Sequence, residues 1–154
     1  MTRPRLILLA SAGSAALLLG ALAFQHLGGL APCKLCIWQR WPHGAAILAG
    51  LLALALPRLT VLPLLGALAA LATSGVGLYH TGVEQHWWLG PTTCTSGSVG
   101  GLTADEFYKH LMNAPMVRCD DIAWQMFGLS MASWNMVISL ALAVLWLMAW
   151  RSRT

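Results

Sequence analysis

A chain of 154 residues that is 58% hydrophobic and only 9% charged is no ordinary soluble domain, in which about a quarter of residues carry charge. Its mean hydropathy is +0.68, and its apolar residues come in long uncharged runs near the roughly 20 residues that cross a bilayer core. The net charge of +4 does not point to nucleic acid, because the basic residues are scattered among the connections, as in the flanks of membrane helices.

Four spans are predicted, over about residues 6–26, 33–56, 61–81 and 131–150. They leave no room for a second domain, so residues 1–154 read as one all-α membrane unit, a four-transmembrane-helix bundle with a long connection over about 82–130. The first run opens with Arg3 and Arg5 and reaches Ala21-Leu22-Ala23, a pattern that also fits a secretory signal with its cleavage site. The run is longer than the roughly 7 to 15 residues of a signal core. Ala12, Ala16 and Gly20 also recur every fourth position, as a helix packing face would. Cleavage would leave the other three spans unchanged.

The second span opens with Pro32 and Cys33-Lys34-Leu35-Cys36, followed by Arg40. On a helix this spacing puts Cys33, Cys36 and Arg40 on one face. A helix N-terminus and a nearby guanidinium both stabilise a thiolate, the attacking species in disulfide exchange. A Cys-x-x-Cys is also half of a zinc site, but no second pair matches it, and Cys94 to Cys119 is far too wide. The plain alternative for Arg40 is a side chain snorkelling to the interface. His43 follows on the same span, His26 ends the first and His80, next to Tyr79, ends the third, all near the depth of the cysteines. A lone interfacial histidine is ordinarily a hydrogen-bonding surface residue; proximity to a redox centre gives these three more weight.

The long connection starts with Trp87 and Trp88, which read as an aromatic belt with Trp38, Trp41, Trp134, Trp146 and Trp150. Cys94 is followed by the Gly/Ser tract 95–101, whose freedom would let that sulfur change partners. Thr103 and Glu106 form a capping box, with Leu102 and Phe107 as its staple, so a short amphipathic helix is expected there. Its Phe107, Leu111 and Met112 face would lie on the membrane surface or pack on the domain. Cys119 follows. Met126, Met131 and Met136 are expected to pack rather than bind metal.

Four spans put both termini and the link 57–60 on one side, with Arg3, Arg5, Arg58, Arg151 and Arg153. Lys34, Arg40, Lys109 and Arg118 lie on the other, so the basic tally is nearly even and the first helix decides, favouring a cytoplasmic N-terminus. All four cysteines and every acidic residue, Glu84 included, then fall on the outer face, where an oxidising compartment suits disulfides.

Several blocks resemble the disulfide bond formation protein B (DsbB) family. They are Phe24-Gln25-His26, the stretch from Pro32 through the cysteine pair to Arg40, Tyr79-His80, Gly90-Pro91 with Cys94, Cys119-Asp120 to Trp124, and Phe127 through Asn135. They run in order over nearly the whole chain. Gln39 departs from the acidic residue some relatives carry before the arginine. The resemblance implies a thiol oxidoreductase of the bacterial inner membrane that reoxidises the periplasmic dithiol oxidase DsbA and passes electrons to ubiquinone or menaquinone. By analogy, DsbA attacks Cys94 of a Cys94–Cys119 disulfide, Cys119 then exchanges with Cys33 of a Cys33–Cys36 disulfide, and Cys36 faces the quinone with Arg40 and His80 beside it. The resting connectivity stays open, since four cysteines allow three pairings.

Three rivals compete. A vitamin K epoxide reductase-like enzyme shares the helices, the cysteine motif and the quinone, but carries its motif late in the chain. A metal or haem protein would use Cys33, Cys36, His26, His43 and His80, and needs reduced thiols in a compartment that disfavours them. A stapled structural protein explains the even cysteine count but not Arg40.

Overall fold

A computed structural model describes residues 1–91, 103–112 and 117–152. Helix α1 runs Arg3–His26, α2 Lys34–Ala55, α3 Leu62–Glu84, α4 Ala104–Met112 and α5 Met131–Arg151, with a two-strand hairpin, β1 Gln125–Met126 and β2 Leu129–Ser130, before α5. Local chemistry sets these limits. Proline stands in the first turn of α1 and of α3, where its missing N–H costs nothing. α2 gives way at Leu56 before Pro57, whose ring disfavours helix in the residue preceding it. Ser130 caps α5 by accepting the Ser133 N–H at 3.2 Å.

The helices close into a ring, α1 against α2 and α5, and α3 against α2 and α5. The bundle is inverted relative to a water-soluble one. Leu8, Leu19, Leu51, Leu68 and Leu140 are exposed around its outside, whereas Ser14, Thr73, Ser139 and His43 are buried within. Apolar surface turned outward and small or polar contacts turned inward are what a lipid solvent selects. α1, α3 and α5 are long and apolar enough to cross a membrane, with mean hydropathy 2.2, 1.6 and 1.8. α2 is as long, but Lys34, Gln39, Arg40, Pro42 and His43 crowd its first half.

Two sequence expectations need correction. Trp146 is not a belt residue: it is 0% exposed and sits within the bundle. Gly50 and Gly66 make its slot, since a Cβ on Gly66 would lie 2.6 Å from the indole ring. Ala12 and Ala16 are exposed and form no packing face; α1 packs through Leu6, Ile7, Ala10, Ser11 and Ser14 instead. Gly66→Ala and Gly75→Ala gain similar helix propensity, yet nothing stands within 4 Å of a Cβ on Gly75. Gly66→Ala is therefore expected to be the less stable by about 1–3 kcal/mol, the usual cost of overpacking, read from thermal unfolding in detergent.

The capping box forms as expected. Thr103 N–H donates to Glu106 Oε2 at 2.9 Å, and Thr103 Oγ1 accepts Glu106 N–H at 3.5 Å. The hydrogen bonds from Thr103 hold the Glu106 carboxyl below its ordinary range. Cys94, the 95–101 tract, Leu102 and the side chains of Phe107 and Leu111 lie outside the described residues. The hairpin was not anticipated. Its turn places Phe127 at φ 53 and Gly128 at φ 77, the paired left-handed conformation that tight hairpins require.

Candidate functional site

Cys33 is the N-cap of α2, its Sγ accepting the Cys36 N–H at 3.2 Å. The two sulfurs are 2.8 Å apart and both are free thiols. A sulfur at a helix N-terminus takes the place of a capping oxygen and meets the positive end of the helix dipole. Pro32 and the next turn of helix thus set the pair's geometry. The predicted common face nonetheless divides. Cys36 and Arg40 line one large cavity, while Cys33 is buried behind them against Leu35, Val83 and Cys119.

Behind Cys36 runs a chain of buried polar groups whose donors and acceptors are fixed by one hydroxyl. Thr73 Oγ1 donates its only proton to the Gln39 carbonyl at 3.0 Å, so it must accept from Asn135 Nδ2 at 3.1 Å. Asn135 Nδ2 also donates to Gln39 Oε1 at 2.7 Å, which turns Gln39 Nε2 toward His80 Nδ1 at 2.9 Å. His80 Nδ1 is therefore an acceptor, and neutral His80 carries its proton on Nε2. Nε2 lies 3.6 Å from Cys33 Sγ, and the ring also hydrogen-bonds the Cys119 backbone. At the other end, His43 Nε2 donates to Asn135 Oδ1 at 2.8 Å, leaving His43 Nδ1 without a proton.

The large cavity, about 430 Å³, is walled by α1, α2, α5, His80 of α3 and the segment before the hairpin. Its walls are mostly apolar, including Leu17, Phe24, Trp124 and Ile138, and Ala16 and Gly20 widen it. Cys36, Gln39, Arg40, His43, His80 and Asn135 supply its polar end. Arg40 Nη1 donates to Gln25 Oε1 at 2.6 Å, which ties the guanidinium to the end of α1. Among the described residues, buried Arg40 Nε and His43 Nδ1 find no protein partner. Arg40 and His43 both line the cavity, and its volume is in the range of small-molecule sites.

Cys119 is 0% exposed and disulfide-bonded, and it packs in one cluster with Cys33. Arg118 grips Asp120 through Nε to Oδ1 at 3.1 Å and Nη2 to Oδ2 at 2.7 Å. Those hydrogen bonds keep the Asp120 carboxyl below its usual range. A lowered folded pKa means the contribution is complete above the unfolded value of about 3.9 and is lost only as pH falls through the lower folded one. The protection factor of the Cys119 amide, its exchange rate compared with the intrinsic rate at the same pH, should stay constant from about pH 8 to 5 and fall only below about pH 4.

Of the sequence candidates, Cys33, Cys36, Cys119, Arg40 and His80 converge here, and Cys94 lies outside the described residues. His26 is exposed and apart. Gln39 and Asn135, which sequence reasoning gave no role, orient His80. Glu84 is corrected most: not a loop acid, it is the buried last residue of α3, accepting the Ser130 hydroxyl. Its spacing of four from His80 was the available signal. Cys33, Cys36 and His80 are close enough for three metal ligands.

Two free sulfurs in contact at a helix mouth, beside a disulfide sulfur in one apolar cluster, make this a membrane oxidoreductase of the thiol–disulfide class. The family model of disulfide bond formation protein DsbB matches residues 3–149, and the chain belongs to that family. Disulfide bond formation protein B of Pasteurella multocida (strain Pm70) is 34% identical over 132 residues, covering 81% of this chain and 74% of its own. Its counterpart in Acidovorax sp. (strain JS42) is 32% identical over 159 residues, covering 94% and 86%. Disulfide bond formation protein B 2 of Pseudomonas aeruginosa (strain PAO1) is 32% identical, covering 82% and 78%. No solved structure matches the chain significantly.

Proposed function

We propose that this protein is a thiol:quinone oxidoreductase of the bacterial inner membrane, reoxidising a periplasmic DsbA-like dithiol oxidase and passing two electrons to a membrane quinone. The observation that carries the reading is the position of Cys36, which shares an apolar cavity with Arg40 while its partner Cys33 touches the Cys119 cluster. One pair thus faces both a lipid-soluble acceptor and a second pair of cysteines.

In this reading α2 is the fourth span, both termini are cytoplasmic and the cysteines are periplasmic. The reduced donor attacks Cys94, which frees Cys119. Cys119 then exchanges with Cys33, already beside it, and the leaving sulfur is Cys36. Arg40 and the α2 N-terminus hold negative charge there. His80, its Nε2–H held by the Cys119 backbone, stays beside Cys33, and Arg40 sets its positive charge at the cavity where the quinone binds. The quinone, ubiquinone or menaquinone, accepts the electron pair. The test is turnover in proteoliposomes: reduced DsbA should lose its thiols catalytically only when quinone is present, and Cys33→Ala or Cys94→Ala should stop it. Equal rates without quinone would end this reading.

A further inference from the structure

Besides the large cavity, a second one of about 50 Å³ adjoins the cysteine pair, walled by Cys33, Cys36, His80 and Glu84 and rimmed by Arg118 and Asp121. That volume has room for water. Glu84 is 8% exposed, and none of the steps above uses it.

Its two oxygens have different surroundings. Oε2 accepts the Ser130 hydroxyl. Ser130 Oγ has then spent its proton, so it accepts from the Ser133 hydroxyl at 3.1 Å, and Ser133 in turn accepts from Thr81 at 3.1 Å. Three hydroxyls from α3 and the start of α5 thus point their protons toward one carboxylate oxygen, each strengthening the next. Oε1 receives none of them. It stands 3.8 Å from His80 Nε2, and Glu84 and Cys33 both line the small cavity.

Resting on the thiol:quinone reading, we infer that Glu84 Oε1 is the proton acceptor for the Cys33 thiol, through water in the small cavity. His80 is not available for this task, because its Nδ1 is taken by the Gln39 amide and its Nε2 already bears a proton. When the two thiols become a disulfide, the pair releases two electrons and two protons. The Cys36 thiol gives its proton to water and, as a thiolate, bonds to the quinone. The Cys33 proton moves to Glu84 Oε1, and the freed sulfur lone pair forms the S–S bond to Cys36 as the Cys36–quinone bond breaks. The electron pair of that bond stays with the quinone, which takes two protons from water to become the hydroquinone. Glu84 then returns its proton to the outer aqueous side past Arg118 and Asp121, the charged groups on the cavity rim.

Removing a nearby negative charge would by itself favour the thiolates, so a purely electrostatic role makes Glu84→Gln faster. A proton-accepting role makes it slower, by about a hundredfold, the low end for general-base catalysis. The measurement is reoxidation of the dithiothreitol-reduced pair across pH, with infrared difference spectra between the reduced protein and protein oxidised by glutathione disulfide. The spectra need no quinone, so they stand even if quinone reduction fails. The expected result is a carboxylic-acid band that changes with the redox state and vanishes in Glu84→Gln, together with loss of the carboxylate limb of the pH–rate profile. No redox-linked acid band, or a Glu84→Gln profile equal to or faster than wild type, overturns the inference. Should Glu84→Gln not accumulate, Ser130→Ala keeps the carboxyl but removes its donor. The band must then shift, and an unshifted band overturns the assignment.

Discussion

Cys36→Ser is expected to abolish quinone reduction while the protein still captures its donor on Cys94. Cys36, unlike Cys33, lines the large cavity, so no other sulfur of the pair can hand electrons to a ligand held there. The substitution leaves the fold intact, because the sulfur that caps α2 belongs to Cys33 and the Cys36 N–H that it accepts is backbone. Donor capture depends on Cys94 and should survive as a mixed disulfide visible on non-reducing gels. Normal turnover by Cys36→Ser would refute the assigned order of sulfurs. Cys33→Ala differs, since it removes the cap as well as the exchange target, costing about 1 kcal/mol of helix stability besides activity.

Arg40→Met should be the next most damaging change. Arg40 lines the cavity and its Nη1 donates to Gln25, so its guanidinium is held rather than free to sweep the interface. Losing a fixed donor at a developing oxyanion costs about 100- to 1,000-fold in rate, or about 3–4 kcal/mol. The loss should fall mainly on kcat, with a smaller rise in the quinone KM. Arg40→Lys should rescue little, because an ammonium cannot reach Gln25 and present a second N–H in the plane of the first. A change below about threefold in kcat/KM for Arg40→Met would return Arg40 to the role of an interface anchor.

Much of this was legible because it is written locally. Long apolar runs give helices, Thr103 and Glu106 give a cap, and Cys33 after Pro32 gives a helix mouth. What escaped depends on neighbours distant in sequence. Trp146 reads as an interfacial residue until Gly50 and Gly66 on other helices make room for it. Glu84 reads as a loop acid because nothing near it in sequence shows that Ser130 will receive it. The spacing of three and then four from Cys33 to Cys36 to Arg40 predicted one shared face, but Cys33, as the N-cap, lies in the buried Cys119 cluster and outside the cavity that Cys36 and Arg40 line. His80 was noticed for its depth, whereas its protonated nitrogen is set by Gln39, Asn135 and Thr73 on three different helices. Such chains of donors and acceptors leave no periodic signature.

The most direct test of the central claim is a single turnover without any donor. Purified protein with both pairs reduced is mixed with ubiquinone-1, quinone absorbance is followed, and the cysteines are alkylated and mapped at intervals. One quinone should be consumed for each Cys33–Cys36 disulfide formed, at a rate that falls in Arg40→Met. Unchanged quinone absorbance with ubiquinone-1 and with a menaquinone analogue, in protein whose four cysteines are intact, would contradict the account.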